Sequence, residues 1–94
     1  SLIPTKVLVT VFDEAFFRDS LLLAEKLRDG GIATESYLEV VKLDKQLKYA
    51  NQKGIPFVLI LGPEETEGKT VTIKNMETGK QETIPQTKLL DYFK

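Results

Sequence analysis

Apolar residues run almost unbroken through Lys6-Val7-Leu8-Val9-Thr10-Val11-Phe12 and again through Phe57-Val58-Leu59-Ile60-Leu61-Gly62. Continuous β-branched runs of this length predict strands covered on both faces, as in a parallel sheet. Between them the period lengthens. Phe16, Ser20, Leu23, Ala24 and Leu27 mark one face of a helix over 14–29, with Asp13 as N-cap, Glu14 complementing the helix dipole and Gly30-Gly31 as the stop. Leu43, Leu47 and Ala50 recur at i, i+4 and i+7 and predict a second helix over 42–53 that ends in Gly54. Ile32 to Leu38 alternates less cleanly but stands where a second strand belongs.

The order is therefore βαβαβ, and right-handed crossovers place the first strand between the other two, giving strand order 2-1-3. After Pro63, segments 69–74 and 81–84 flank Asn75-Met76-Glu77-Thr78-Gly79, a hairpin whose turn is marked by Thr78-Gly79. Leu89, Leu90 and Phe93 fit a closing helix after Pro85. The expected domain covers 6–94, with residues 1–5 a linker or remnant punctuated by Pro4. The opening Ser1-Leu2-Ile3-Pro4 lacks an initiator Met, so a processed or excised start is expected.

Composition narrows the chemistry. At 94 residues and 41% apolar content, one small core is the expectation. Thirteen Lys plus Arg against fourteen Asp plus Glu give a formal net charge of −1, so any nucleic-acid binding must be local. With neither Cys nor His, thiol nucleophiles, disulfides, zinc sites of Cys or His and imidazole acid–base catalysis are excluded. The apolar runs are too short to span a bilayer and the N-terminus has no signal-peptide pattern, so a soluble, cytoplasmic domain without a membrane partner is expected.

Asp13 stands at the carboxyl end of the first strand, where some α/β folds keep a phosphorylated aspartate, but it is already accounted for as an N-cap and has no D-x-D partner. Gly30-Gly31 follows a helix, so it is a stop and no phosphate loop. Glu64, Glu65 and Glu67 follow Gly62-Pro63 at the end of the third strand, where such sheets present ligands. A carboxylate there either sits in a solvated polar loop or accepts from the Watson–Crick edge of an unstacked guanine. Lys42, Lys45, Lys48, Gln52 and Lys53 lie off the apolar stripe of the second helix. Their two readings are a solvated helix face and a binding surface held rigidly against the sheet.

The order of these features resembles a known family. K-x-x-K-Q-x-K-Y-A from Lys42, the G-I-P-F strand entry at Gly54 and the T-G-x-Q hairpin from Thr78 are similar to the C-terminal anticodon-binding domain of class II aminoacyl-tRNA synthetases, within them most of all the histidyl enzymes. The likeness runs from Lys6 to Phe93. It implies an α/β fold of three layers: a five-stranded mixed sheet, made of the parallel βαβαβ core plus an antiparallel hairpin, with three helices.

The function implied is grip on an anticodon stem-loop, for the histidyl enzymes that of tRNA-His with anticodon GUG. By position, Glu65 matches the acidic residue that contacts an anticodon base in the threonyl domain. Lys48 and Lys74 fall where the family places basic contacts, there Arg; lysine lacks the planar fork of Arg, so phosphate contact is the expectation. Lys42, Lys45, Gln46 and Tyr49 complete the helix motif, Tyr49 either stacking on a base or packing on the sheet. Val40 replaces the Asn of the threonyl pattern, which turns the resemblance away from threonine.

The resemblance further implies a parent ligase, homodimeric, whose separate catalytic core uses ATP and Mg²⁺. No cofactor or metal is expected in this domain, and none of the arginine-bearing motifs of that core occurs in the chain, which is expected to be no enzyme by itself. The alternatives are the domain of a threonyl, prolyl or glycyl enzyme, a synthetase-like regulatory paralogue, or a small phosphoacceptor domain built on Asp13.

Overall fold

The apolar run that begins the chain lies at the centre of the sheet. In the computed structural model, which describes residues 3–94, Val7–Val9 forms β1 between β2 (Thr34–Ser36) and β3 (Phe57–Ile60), parallel to both. β4 (Thr70–Asn75) and β5 (Gln81–Pro85) continue it antiparallel, giving the order β2-β1-β3-β4-β5. The expected 2-1-3 arrangement and hairpin are both present. The linker expected over 1–5 lies partly outside the described residues.

Val7 and Val9 point into one core with Leu23, Ala24 and Leu27 of α1 (Phe17–Asp29) and Leu89 of α4 (Leu89–Tyr92). Leu8 points the other way, into a smaller core with Val58, Ile55 and Ala50 of α2 (Leu43–Lys53). A strand apolar on every residue thus has a helix over each face, and each buried Leu or Val contributes about 1.5–3 kcal/mol. Asp13 caps as expected, its Oδ1 accepting from the Ala15 N–H at 2.8 Å. The first turn, Glu14–Phe16, is 3-10 before α1 begins. Gly54 ends α2 with φ +70°, a left-handed conformation that favours glycine.

The fold departs from expectation at two places. Among the described residues the α-helices number four, because Pro63–Gly68, read as a polar loop, is helix α3. Its start carries the signals of one: Pro63 at the first position needs no N–H partner, and Glu64 and Glu65 face the dipole. Lys69 closes it with φ 56°, left-handed for a residue with a Cβ.

The first strand, expected over 6–12, ladders only over Val7–Val9. The reason is Gln46, the second departure. Its side chain is fully buried, accepting from the Val11 N–H at 2.8 Å and donating to the carbonyls of Val11 at 2.8 Å and Val41 at 2.9 Å. The amide does for Val11 what another strand would do, and also fastens the loop that leads into α2. Gln46 is therefore no surface contact, correcting its place in the candidate binding set: its three polar bonds are spent in the interior.

Of the two readings of Tyr49 the structure has the packed one: its ring is half-buried against Tyr37 at 5.5 Å, edge to face. Its hydroxyl donates to Glu35 Oε1 at 2.6 Å, and Thr5 Oγ1 donates to Glu35 Oε2 at 2.6 Å. One carboxylate of β2 so joins α2 to the irregular segment that leads into β1. The Thr5 bond first, then the Tyr49 bond, hold the Glu35 carboxyl below its ordinary range, and the Glu35 bond pushes the Tyr49 hydroxyl up.

Removing the Gln46 amide strands buried backbone groups, so Gln46→Ala is expected to cost roughly 2–5 kcal/mol in urea unfolding. A loss below about 1 kcal/mol would show that water replaces the amide without penalty. For Glu35, the depressed carboxyl pKa means stability that is present above the unfolded-state value and lost as pH falls through the folded one. Solvent screens this open carboxylate, so Glu35→Gln is expected to cost less than about 1 kcal/mol at pH 7. Its gap from the wild-type chain should close below about pH 4 in paired melts; a gap that stays constant with pH would remove the carboxylate from that role.

Candidate nucleic-acid interface

α2 presents its lysines because its core contacts leave no other choice. Gln46 and Ala50, one turn apart, face the sheet, so the residues opposite them face water. Lys42, Lys45 and Lys48 are all exposed, spaced three residues apart along the outer side of this helix. Lys53 turns back instead, its Nζ standing 5.9 Å from the centre of the Tyr49 ring.

Lys74 comes to the same side of the sheet by strand alternation. Val71 and Ile73 point into the α1 core, so Thr72 and Lys74 must point to the α2 side, where Lys74 pairs in register with Val58 beneath that helix. Glu65 reaches this face from α3. Its Oε1 accepts from the Gly62 N–H at 2.9 Å and its Oε2 accepts from Thr72 Oγ1 at 2.9 Å. Thr72 Oγ1 lies 2.8 Å from Thr83 Oγ1. Because the single Thr72 proton goes to Glu65, Thr83 is the donor in that pair, and a line of two hydroxyls steadies the carboxylate from β4 and β5. Glu65 is half-buried and held in one orientation, with lone pairs left for a further donor.

The structure so brings Lys42, Lys45, Lys48, Lys74 and Glu65 to one side of the sheet, puts the ring and hydroxyl of Tyr49 to work on β2, and takes Gln46 inside. Arg18 and Arg28, the guanidinium groups of the chain, stand apart on α1. Arg28 is spent on the β2 edge, bonding the Thr34 carbonyl at 3.0 Å and Ser36 Oγ at 3.1 Å. Among the described residues no group of three or more Asp or Glu gathers as a metal site would require, and Asp13 is occupied with its own turn. No helix of the described chain is long and apolar enough to cross a membrane.

One residue escaped the sequence reading. Phe12, taken as the last apolar residue of the first strand, is 51% exposed and lines a groove of about 620 Å³ with Val40, Val41, Lys42 and Lys45. The available signal was its place immediately before the Asp13 cap, at the carboxyl end of a strand beside a topological switch point.

The model of the anticodon binding domain family matches residues 6–94. A histidine–tRNA ligase of Helicobacter acinonychis is 45% identical over 76 residues, 81% of this chain. The chain spans only 17% of the length of that relative. Histidyl-tRNA synthetase from Nostoc sp. PCC 7120 superimposes with a TM-score of 0.92 at 24% identity, over 97% of this chain and 22% of its own. The RNA binding domain of threonyl-tRNA synthetase from Cryptosporidium parvum gives 0.90 at 19% identity, over 96% of this chain and 23% of its own. Those two likenesses carry the fold alone. With a family match over nearly all of its length, the chain belongs to the anticodon binding domains of class II aminoacyl-tRNA synthetases, most like the histidyl ones.

Proposed function

We propose that this domain is the anticodon-recognition module of a histidine–tRNA ligase. It holds the GUG anticodon stem-loop of tRNA-His on its α2 side while a separate catalytic core, using ATP and Mg²⁺, attaches histidine. The domain itself performs no chemistry; the parent is a cytoplasmic homodimer. The observation that carries this reading is Glu65, a carboxylate fixed by Gly62 and Thr72 on the side of the sheet that also carries Lys74 and the α2 lysines. A fixed acceptor suits the N1–H and N2–H donors of guanine, which GUG offers twice, and the ammonium groups suit the phosphates around it. The name of the Helicobacter acinonychis relative supports histidine over the other amino acids.

Fluorescence anisotropy at low salt, with a GUG stem-loop against the same loop carrying GGU and a scrambled one, tests the assignment. GUG is expected to bind about ten-fold tighter, the effect of one or two well-read bases. Equal binding of all three would end the claim of histidine-specific readout, and preference for GGU would move the domain to a threonyl parent.

Two substitutions separate the roles within that face. Lys48→Ala should weaken every loop alike and lower the log–log salt slope by about 0.7–0.9, one phosphate's share. Glu65→Gln keeps an acceptor for Gly62 but replaces half of the carboxylate with a donor, so the preference for GUG should fall several-fold while the salt slope stays. An unaltered slope in the first, or an unaltered preference in the second, would remove the residue from its role.

A further inference from the structure

We propose that Phe12 is a stacking platform for an unpaired RNA base, seated in the groove between the end of β1 and the head of α2. The inference rests on the anticodon reading above, and adds a contact which that reading does not need. A Phe at the end of a buried strand would ordinarily fold its ring into the core, yet half of this one faces solvent, at 51% exposure.

The ring is held in place, which is what a platform requires. Phe16 meets it edge to face, with centroids 5.8 Å apart and planes at 89°. Gly62 closes against it from the β3 side, where a Cβ would stand 2.9 Å from Phe12 Cδ1, so only glycine leaves the ring its position. The backbone one residue back is fastened by the Gln46 amide. Order in the free state spares the entropy that a mobile side chain would lose on binding.

The surroundings select the occupant. The groove of about 620 Å³ is lined by Phe12, Val40, Val41, Lys42 and Lys45, with two ammonium groups and no carboxylate among them. Val40 is itself 46% exposed beside the ring. An apolar floor with a cationic wall fits a planar base carried on a phosphate backbone, the pattern by which single strands are held without reading their edges. A helix or second protein chain would find the two lysines a cost at the centre of the contact.

The experiment places 2-aminopurine in turn at each anticodon-loop position of the GUG stem-loop and titrates the 94-residue chain, its Phe12→Leu and Phe12→Tyr forms, at several salt concentrations. The wild-type chain is expected to change the emission of one position most. Phe12→Leu should abolish that change and weaken binding about ten-fold or more with the salt slope unchanged, and Phe12→Tyr should restore both. Thermal melts check that Phe12→Leu remains folded, and the recovery in Phe12→Tyr guards against a merely structural effect.

A GUG preference that survives in Phe12→Leu with full affinity and full emission change overturns the stacking and leaves the anticodon reading standing. Phe12-dependent binding without preference among GUG, GGU and scrambled loops supports the stacking and overturns the anticodon assignment. Absence of binding by the wild-type chain overturns both, and a dimer in sedimentation that Phe12→Leu dissolves gives the groove to a second copy and overturns the stacking.

Discussion

One buried amide sets the course of the chain where the central strand ends and α2 begins. Gln46 bonds the N–H and carbonyl of Val11 and the carbonyl of Val41, and so ties together the end of the central strand, the loop after β2 and the first turn of α2. Without it, Val11 would have to be paired by a longer sheet or left unsatisfied inside the protein, which costs about as much as losing a hydrogen bond outright. With it, the strand can stop early and Phe12 can turn outward. The same bonds decide which way α2 faces: with Gln46 and Ala50 anchored inward, Lys45 and Lys48 can only point outward. A residue that never meets solvent thereby sets the placement of residues that do.

The two sides of the sheet are unequal, and this inequality makes room for a ligand. α1 and α4 cover the large core completely, closing over Val7, Val9, Leu59, Val71 and Ile73. On the other side the fully buried cluster is smaller, Leu8, Ile55 and Val58 with Ala50 of α2, while Ile60 and Met76 are only partly buried against it, and the sheet continues into β4 and β5, where α3 is a mere six residues. Polar groups fill that uncovered stretch. Thr72 is buried there at 8% exposure with both Glu65 and Thr83 bonded to it, and Lys74, half-buried, follows it on the same face of β4. A helix of ordinary length in the place of α3 would have hidden these groups.

Most of the architecture was legible because it follows from period and punctuation. The unbroken apolar runs of β1 and β3, the 3.6-residue spacing of α1 and α2, and the glycines at 30, 31 and 54 are local signals, and the strand order follows from crossover handedness. What was missed has a physical reason in each case. α3 has no apolar stripe, since it packs on the sheet through Glu65, so a reading by hydrophobic period passes over it, although Gly-Pro-Glu-Glu carries the marks of a helix start. Gln46 stands among lysines and is polar by type, so it reads as surface. Its spacing of four from Ala50 was the only hint of a place inside. Tyr49 was legible as either stacking or packing, and the choice was made by Glu35 on β2, which no local pattern reveals.

The charge of the interface limits what it can do and explains how its parts divide the work. Outside α1 every cation of the chain is a lysine, and the overall balance is −1. Lysine is a hydrated point charge without a planar fork, so under the proposed function the groups at 42, 45, 48 and 74 would attract a phosphate backbone and steer it but discriminate little between bases. Discrimination must then come from groups with fixed direction, and on this side of the sheet those are the ones the fold has immobilised: the carboxylate of Glu65 through Gly62 and Thr72, and the ring of Phe12 through Phe16 and Gly62. Gly62 serves both, donating its N–H to the one and giving up a side chain for the other. A single glycine at the end of β3 therefore couples the acceptor that would read a base edge to the surface that would carry a base face, and a side chain placed there would disturb the two together.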